Sequence, residues 1–364
     1  RLTKQASYNR DDQAEYDPKN DLLEQEFELR GKWYQRKDLE LKNCRGDVLQ
    51  CSHYKPIASP EGKLLPCVVY CHGNRADASE AALVLLPSNI TVFTFDFSGA
   101  GLSGGEHVTL GLNEKDDIRA VVDYLRADGN VSLIGLWGQS LGAGISLMYV
   151  AEDPSIAGMF LDSPYSDFVD FTMEQVAKHR GRLPKFVVKF VIQYMRRAIR
   201  KRGNFDITDL NNIKVAKRCF VPVLFGHGID DDFILPHHSD RLFDAYAGDK
   251  NIIKFEGDHN SPRPQFYFDS ITIFFHNVLQ PPENEVEEAY FESMDDYFSK
   301  DQKCDDDLFL SSSKMLSFEF SNGDPCGPHV PTTMYEDQCI ENKLDDLAGF
   351  PSDVEGKKGC LRQH

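Results

Sequence analysis

The 364-residue chain reads as an α/β protein: a mostly parallel sheet flanked by helices, with a helical cap insertion and a disordered acidic C-terminal tail. Two observations predict this. Short apolar runs alternate with helical patterns up to about residue 280, and strands buried on both faces between helices imply parallel pairing. One connection, between the runs ending at Leu161 and beginning at Val221, is nearly sixty residues long and carries helical periodicity of its own.

Taken in order, residues 1–29 are polar and predict a flexible N-terminal segment. The main domain is expected over 30–280. It opens with an antiparallel pair, 39–42 and 48–52, around Arg45-Gly46-Asp47. Buried strands are expected at 67–71, 90–97, 131–137, 157–161, 221–226 and 251–255. Helices are expected near 76–86, 114–126, 141–151, 237–246 and 264–279. The cap occupies about 165–218. Within it Lys185, Lys189, Gln193, Arg197 and Arg200 recur at helical spacing opposite Val187, Val188, Val191, Ile192 and Met195. The plain reading is an apolar side on the core and a solvated basic face. The sharper one is a peripheral contact with anionic lipid or with the acidic tail.

Residues 281–364 hold 20 acids against 7 bases, so the tail carries −13 of the net charge of −18. Its Gly/Pro breaks and missing periodicity predict disorder, with a protein partner for the tail as a second reading. An acidic balance argues against nucleic acid, which requires clustered positive charge. Nine scattered cysteines without a C-x-x-C pair predict a reducing compartment, the cytoplasm, with membrane association through the cap as the alternative.

The chemistry centres on Gly138-Gln139-Ser140-Leu141-Gly142, placed between an apolar run and a helical one. In that context the pattern is a nucleophile elbow. A serine on a sharp strand-to-helix turn takes strained dihedrals and draws backbones together, so its neighbours Gly138 and Gly142 must be small. A serine hydroxyl needs a base, an acid to orient the base, and oxyanion donors. The acid and then the histidine should follow later strands. His227-Gly228-Ile229-Asp230-Asp231-Asp232 and Glu256-Gly257-Asp258-His259 meet this order. His259 is the base and Asp231 the favoured acid, with Asp230 second and Asp162 a distant alternative. The oxyanion donors are the N–H of Leu141 and, from His72-Gly73-Asn74, the N–H of Asn74; His72 itself is read as structural. No cofactor and no metal are expected: the acids at 230–232 have no companion ligand run.

These residues, with Asp96-Phe97-Ser98-Gly99-Ala100-Gly101, resemble the α/β-hydrolase superfamily over roughly 33–279, in its serine-aminopeptidase-like branch. The chain is similar to the α/β-hydrolase-domain acyl-protein thioesterases that remove palmitate from cysteines. It is closer still to a eukaryotic group of such hydrolases with the same acidic tail. The resemblance implies a serine hydrolase that cleaves an acyl ester or thioester of a small molecule or a lipidated protein. In that group the H-G-N loop continues with Ser-Gly; here it runs into Arg75-Ala76-Asp77. A displaced second donor would cost on the order of 100- to 1000-fold in rate. That departure motivates the alternative of a catalytically impaired, partner-binding scaffold. An aminopeptidase-like peptidase is the third reading.

Overall fold

The computed structural model describes residues 22–58, 63–72, 79–180, 185–203 and 205–282. The expectations for 1–21 and for the tail beyond 282 lie outside the described residues. So does the whole of the second of the two units into which the chain divides, 298–364.

Nine strands form one sheet in the order β1-β2-β3-β5-β4-β6-β7-β8-β9. The strands β1 (Glu26–Leu29), β2 (Lys32–Lys42) and β3 (Val48–Pro56) run antiparallel, and β3 pairs antiparallel with β5 (Thr91–Phe95). From β5 onward every pairing is parallel, through β4 (Leu65–Cys71), β6 (Val131–Gln139), β7 (Gly158–Asp162), β8 (Val223–Gly228) and β9 (Lys250–Phe255). The helices are α1 (Ser79–Leu85), α2 (Glu114–Asp128), α3 (Leu141–Val150), α4 (Phe168–Arg180), α5 (Lys185–Gly203), α6 (Asn212–Ala216), α7 (His237–Ala245) and α8 (Gln265–Leu279).

The expected flexible segment over 1–29 is corrected at its end. Residues 26–29 are a strand, because Phe27 and Leu29 alternate with Glu26 and Glu28 and pack against a buried cluster around Tyr34 and Tyr54. Two turns of alternation are too short a signal to stand out from polar surroundings. The opening pair is likewise longer than predicted, nine register pairs from Tyr34↔Pro56 to Lys42↔Val48.

The core lies on both sheet faces, and strand periodicity assigns the sides. On β6, Ile134 and Leu136 face one cluster and Trp137 the other. On β7, Met159 and Leu161 oppose Phe160, and on β8, Val223 and Phe225 oppose Leu224. Helices α2, α3 and α7 cover the first face, α1 and α8 the second. Strand β4 sits between β5 and β6, so the chain leaves it in one direction and later returns on its other side. The carboxyl ends of β4 and β6 therefore flank a switch-point crevice, where α/β sheets place ligands.

The connection from β7 to β8 is the helical insertion, α4 to α6. On α5, Met195 and Ile199 are buried and Val191 packs on the core, while Gln193, Arg197 and Arg200 face out. Phe190 and Tyr194 are also exposed, which the basic-face reading did not foresee. Among the described residues no helix is long and apolar enough to cross a membrane.

Candidate active site

Ser140 joins β6 to α3 with φ 53° and ψ −115°, a conformation that costs a non-glycine residue on the order of 1–3 kcal/mol. The turn is held by the Ser140 N–H donating to the Asp162 carbonyl at 2.8 Å and by Ala143 N–H donating to the Ser140 carbonyl at 3.2 Å. The flanking glycines are required by contact. A Cβ on Gly142 would lie 1.8 Å from the Cys71 carbonyl oxygen, and one on Gly138 would lie 2.5 Å from Ala143 Cα. Both approaches are backbone against backbone, so no side chain can move aside. Leu141 opens α3, and a first-turn N–H has no carbonyl partner inside its helix. Gly73 and Asn74, with the neighbouring Arg75, lie outside the described residues. His72 is half-buried at the end of β4, its ring 6.3 Å from that of Tyr70.

Ser140, His259 and Asp231 form one hydrogen-bonded row. His259 Nε2 is 3.2 Å from Ser140 Oγ, and His259 Nδ1 is 2.7 Å from Asp231 Oδ2. Since an ionised carboxylate only accepts, Nδ1 carries the proton and the Nε2 lone pair faces the serine hydroxyl. The Phe233 ring packs 5.0 Å from the imidazole.

Asp231 is buried at the end of β8. Its Oδ1 accepts from the N–H groups of Phe233 (2.9 Å) and Ile234 (2.8 Å). His227 Nε2 approaches Oδ2 at 3.3 Å while donating to the Ile234 carbonyl at 2.7 Å; Ser239 Oγ lies 2.6 Å from its Nδ1. Burial alone would raise the Asp231 carboxyl. Hydrogen bonds from His227 and His259, the electrostatic attraction of the His259 ring and the Ile234 N–H outweigh it, holding the group well below the usual carboxylate range. The neighbouring acids differ: Asp230 is exposed, and Asp232 pairs with Lys178 of the cap at 2.6 Å.

Asp162, the distant alternative acid, is engaged elsewhere. Its carboxylate receives Nε and Nη2 of Arg263, each at 3.2 Å, and Nη1 of the same guanidinium donates to the carbonyls of His259 (3.0 Å) and Ser261 (2.7 Å). Asp162 thus touches both halves of the row, through its carbonyl to Ser140 and through Arg263 to the His259 loop. Sequence reasoning missed Arg263. The available signal was an arginine four residues after the base, with an acid, Asp162, closing an earlier strand two places away in the sheet.

With this geometry in view, likeness to known proteins is informative. Residues 66–194 match a family model described as alpha/beta hydrolase fold. An uncharacterized protein, YqkD of Bacillus subtilis, is 29% identical over 199 residues, 53% of this chain and 64% of its own. The chain thus spans just under two thirds of such curated relatives. The Pyrococcus furiosus esterase Pf2001 superposes with TM-score 0.54 at 18% identity, covering 68% of this chain and 92% of that one. The Pyrococcus horikoshii acylaminoacyl peptidase superposes with TM-score 0.52 at 16% identity, covering 70% and 44%. At such identities the likeness speaks to fold. By its family match over residues 66–194, its sheet order and the turn at Ser140, the chain has the α/β-hydrolase fold.

Proposed function

We propose that this protein is a serine hydrolase acting on an acyl ester or thioester through a covalent acyl-enzyme. The observation that carries the reading is the unbroken row from Ser140 Oγ through His259 to Asp231, at 3.2 and 2.7 Å. Ser140 Oγ attacks the acyl carbonyl carbon as His259 Nε2 takes its proton. Asp231, already ionised, stabilises the imidazolium without being protonated. The Leu141 N–H at the start of α3 receives the developing oxyanion. Collapse of the intermediate expels the alkoxide or thiolate, which leaves with the proton from His259. Water activated by the same nitrogen then releases the acid and restores the serine.

The substrate class follows from the resemblance, a small-molecule or lipidated-protein acyl group, and is tested by activity. A fluorophosphonate probe should label the protein and leave Ser140→Ala unlabelled. Equal labelling of both, or of neither, sinks the reading. A series of p-nitrophenyl esters of graded chain length, with an acyl-peptide for comparison, then separates esterase from peptidase use of the same site.

A further inference from the structure

A second cluster of chemistry-bearing side chains stands where the cap meets the core. Glu174 projects from α4 between His237 and His238 at the start of α7. Glu174 Oε1 is 3.1 Å from His237 Nε2, and Oε2 is 2.9 Å from His238 Nε2. Successive side chains on an α-helix diverge by about 100°. Here the two rings instead stack, centroids 4.4 Å apart and planes at 28°, and turn both Nε2 atoms onto one carboxylate. All three ligand atoms lie within 4.8 Å of one another. Among the described residues, the ion pairs of Glu174 are with these two imidazoles. The nearby Arg241 is taken up by Asp170 at 2.9 Å.

We propose that Glu174, His237 and His238 form a site for a zinc-class divalent cation that fastens the cap helix to the core. Bonds of about 2.0–2.1 Å from zinc to nitrogen and oxygen at tetrahedral angles imply ligand-to-ligand edges of roughly 3.3 Å. The two observed carboxylate-to-imidazole edges, one to each oxygen, lie within a few tenths of an ångström of that value, and the widest separation among the three ligand atoms, at most 4.8 Å, closes on binding. Two imidazole nitrogens and one carboxylate select Zn²⁺, Co²⁺, Ni²⁺ or Cu²⁺ over Mg²⁺ and Ca²⁺, which demand oxygen. Water completes the coordination.

His238 supplies the outer support. Its ring is fully buried, and Nδ1 is 2.7 Å from Ser166 Oγ and 3.3 Å from Ser166 N. Without metal, Nε2–H donates to Glu174 and Nδ1 accepts from Ser166. With metal on Nε2 the proton resides on Nδ1, the serine hydroxyl turns to accept it, and the longer bond from the Ser166 N–H, which can only donate, is given up. A hydroxyl can take either role, so the ring keeps its orientation in both states.

The place of the site gives it a consequence. The same helix α4 donates from Gln175 Nε2 to the Phe233 carbonyl at 2.5 Å and from Lys178 Nζ to the Asp232 carbonyl at 3.0 Å. A cation at Glu174 ties α4 to the segment 231–238 at one more point, behind Asp231.

The test is metal binding by the full chain, freed of metal with a chelator. Titration with Co²⁺, followed by its visible spectrum, and competition by Zn²⁺ should reveal one equivalent that raises the unfolding temperature. Glu174→Gln and His237→Ala, at partly exposed positions, should each abolish that equivalent. Ser166→Ala should weaken it about 10- to 100-fold. His107→Ala, at an exposed site elsewhere, should leave it unchanged, as should Ser140→Ala, which separates this site from the proposed chemistry. Binding to wild type no tighter than to a Glu174→Gln/His237→Ala double variant overturns the proposal.

Discussion

The loops of Asp231 and His259 present two side chains to one hydrogen bond, yet they are built by opposite means. Asp231 is held by its own neighbourhood: the N–H groups two and three residues on bind Oδ1, and His227 four residues back approaches Oδ2. His259 is held from afar. Its loop is pinned through Arg263 to Asp162, a residue 101 positions earlier on β7. The acid's carboxylate is held by local groups, whereas the base, beyond the local turn at Asp258, leans on a tertiary ion pair. Perturbing the acid should therefore change chemistry with little change in fold. Perturbing the support of the base should change both.

The largest effect is expected for Asp231→Asn. The amide keeps an oxygen for the Phe233 and Ile234 N–H groups, so the loop should remain folded. His259 loses the partner that fixes its tautomer, and kcat should fall on the order of 10⁴-fold. Circular dichroism and an ester assay on the same preparation read both halves of this expectation. A variant that unfolds would show the acid to be structural rather than local to the chemistry.

Arg263→Gln should cost less in rate and more in stability. It leaves the Asp162 carboxylate, whose side chain is 3% exposed, without its counter-charge, and breaking such a buried pair costs about 3–5 kcal/mol. The freed His259 carbonyl lets the imidazole drift, and a shift near 1 Å costs about 100-fold in rate. Denaturant unfolding and kcat measured together test the pairing. Lost stability with unchanged kcat would reduce Arg263 to a brace of the fold alone.

The same contrast explains what the sequence made legible. Alternating apolar runs and helical patterns suffice for the sheet because β4, β7, β8 and the second half of β6 are buried on both faces, leaving short runs dominated by apolar residues. Ser140 and Asp231 are legible for the same reason that Asp231 is local: the restraint acts over a few residues, so it writes itself into spacing. Gly142 belongs with them, although the object it avoids, the Cys71 carbonyl, lies on another strand. Arg263 and Glu174 were not legible. Each acts on a partner brought near only by the parallel crossovers, and a lone arginine or glutamate in sequence has no period. The four-residue β1 failed for a third reason, too few alternations to register.

Acidity offers a smaller effect. The Asp231 carboxyl lies below its unfolded value near 3.9, so its contribution to stability is fully present above about pH 4 and is lost as pH falls through the folded value. Wild type should therefore lose stability more steeply than Asp231→Asn as pH drops below about 4, with the two curves running parallel above it. Acid unfolding followed by fluorescence measures the difference in slope. Parallel curves throughout would mean that the carboxylate gains nothing from its buried donors.

The smallest effect is expected where the cap touches the acid loop. Lys178 reaches Asp232 at 2.6 Å, but the two side chains are 44% and 73% exposed. Solvent-screened pairs of this kind contribute about 0–1 kcal/mol. Lys178→Ala should therefore lower stability by no more than that and leave kcat unchanged, because Asp231 one position away keeps both of its loop N–H donors. A fall in kcat comparable to that of Arg263→Gln would break the comparison. It would mean that α4, rather than the turn from Asp231 to Ile234, sets the position of the carboxylate, and that both arms of the row depend on distant supports.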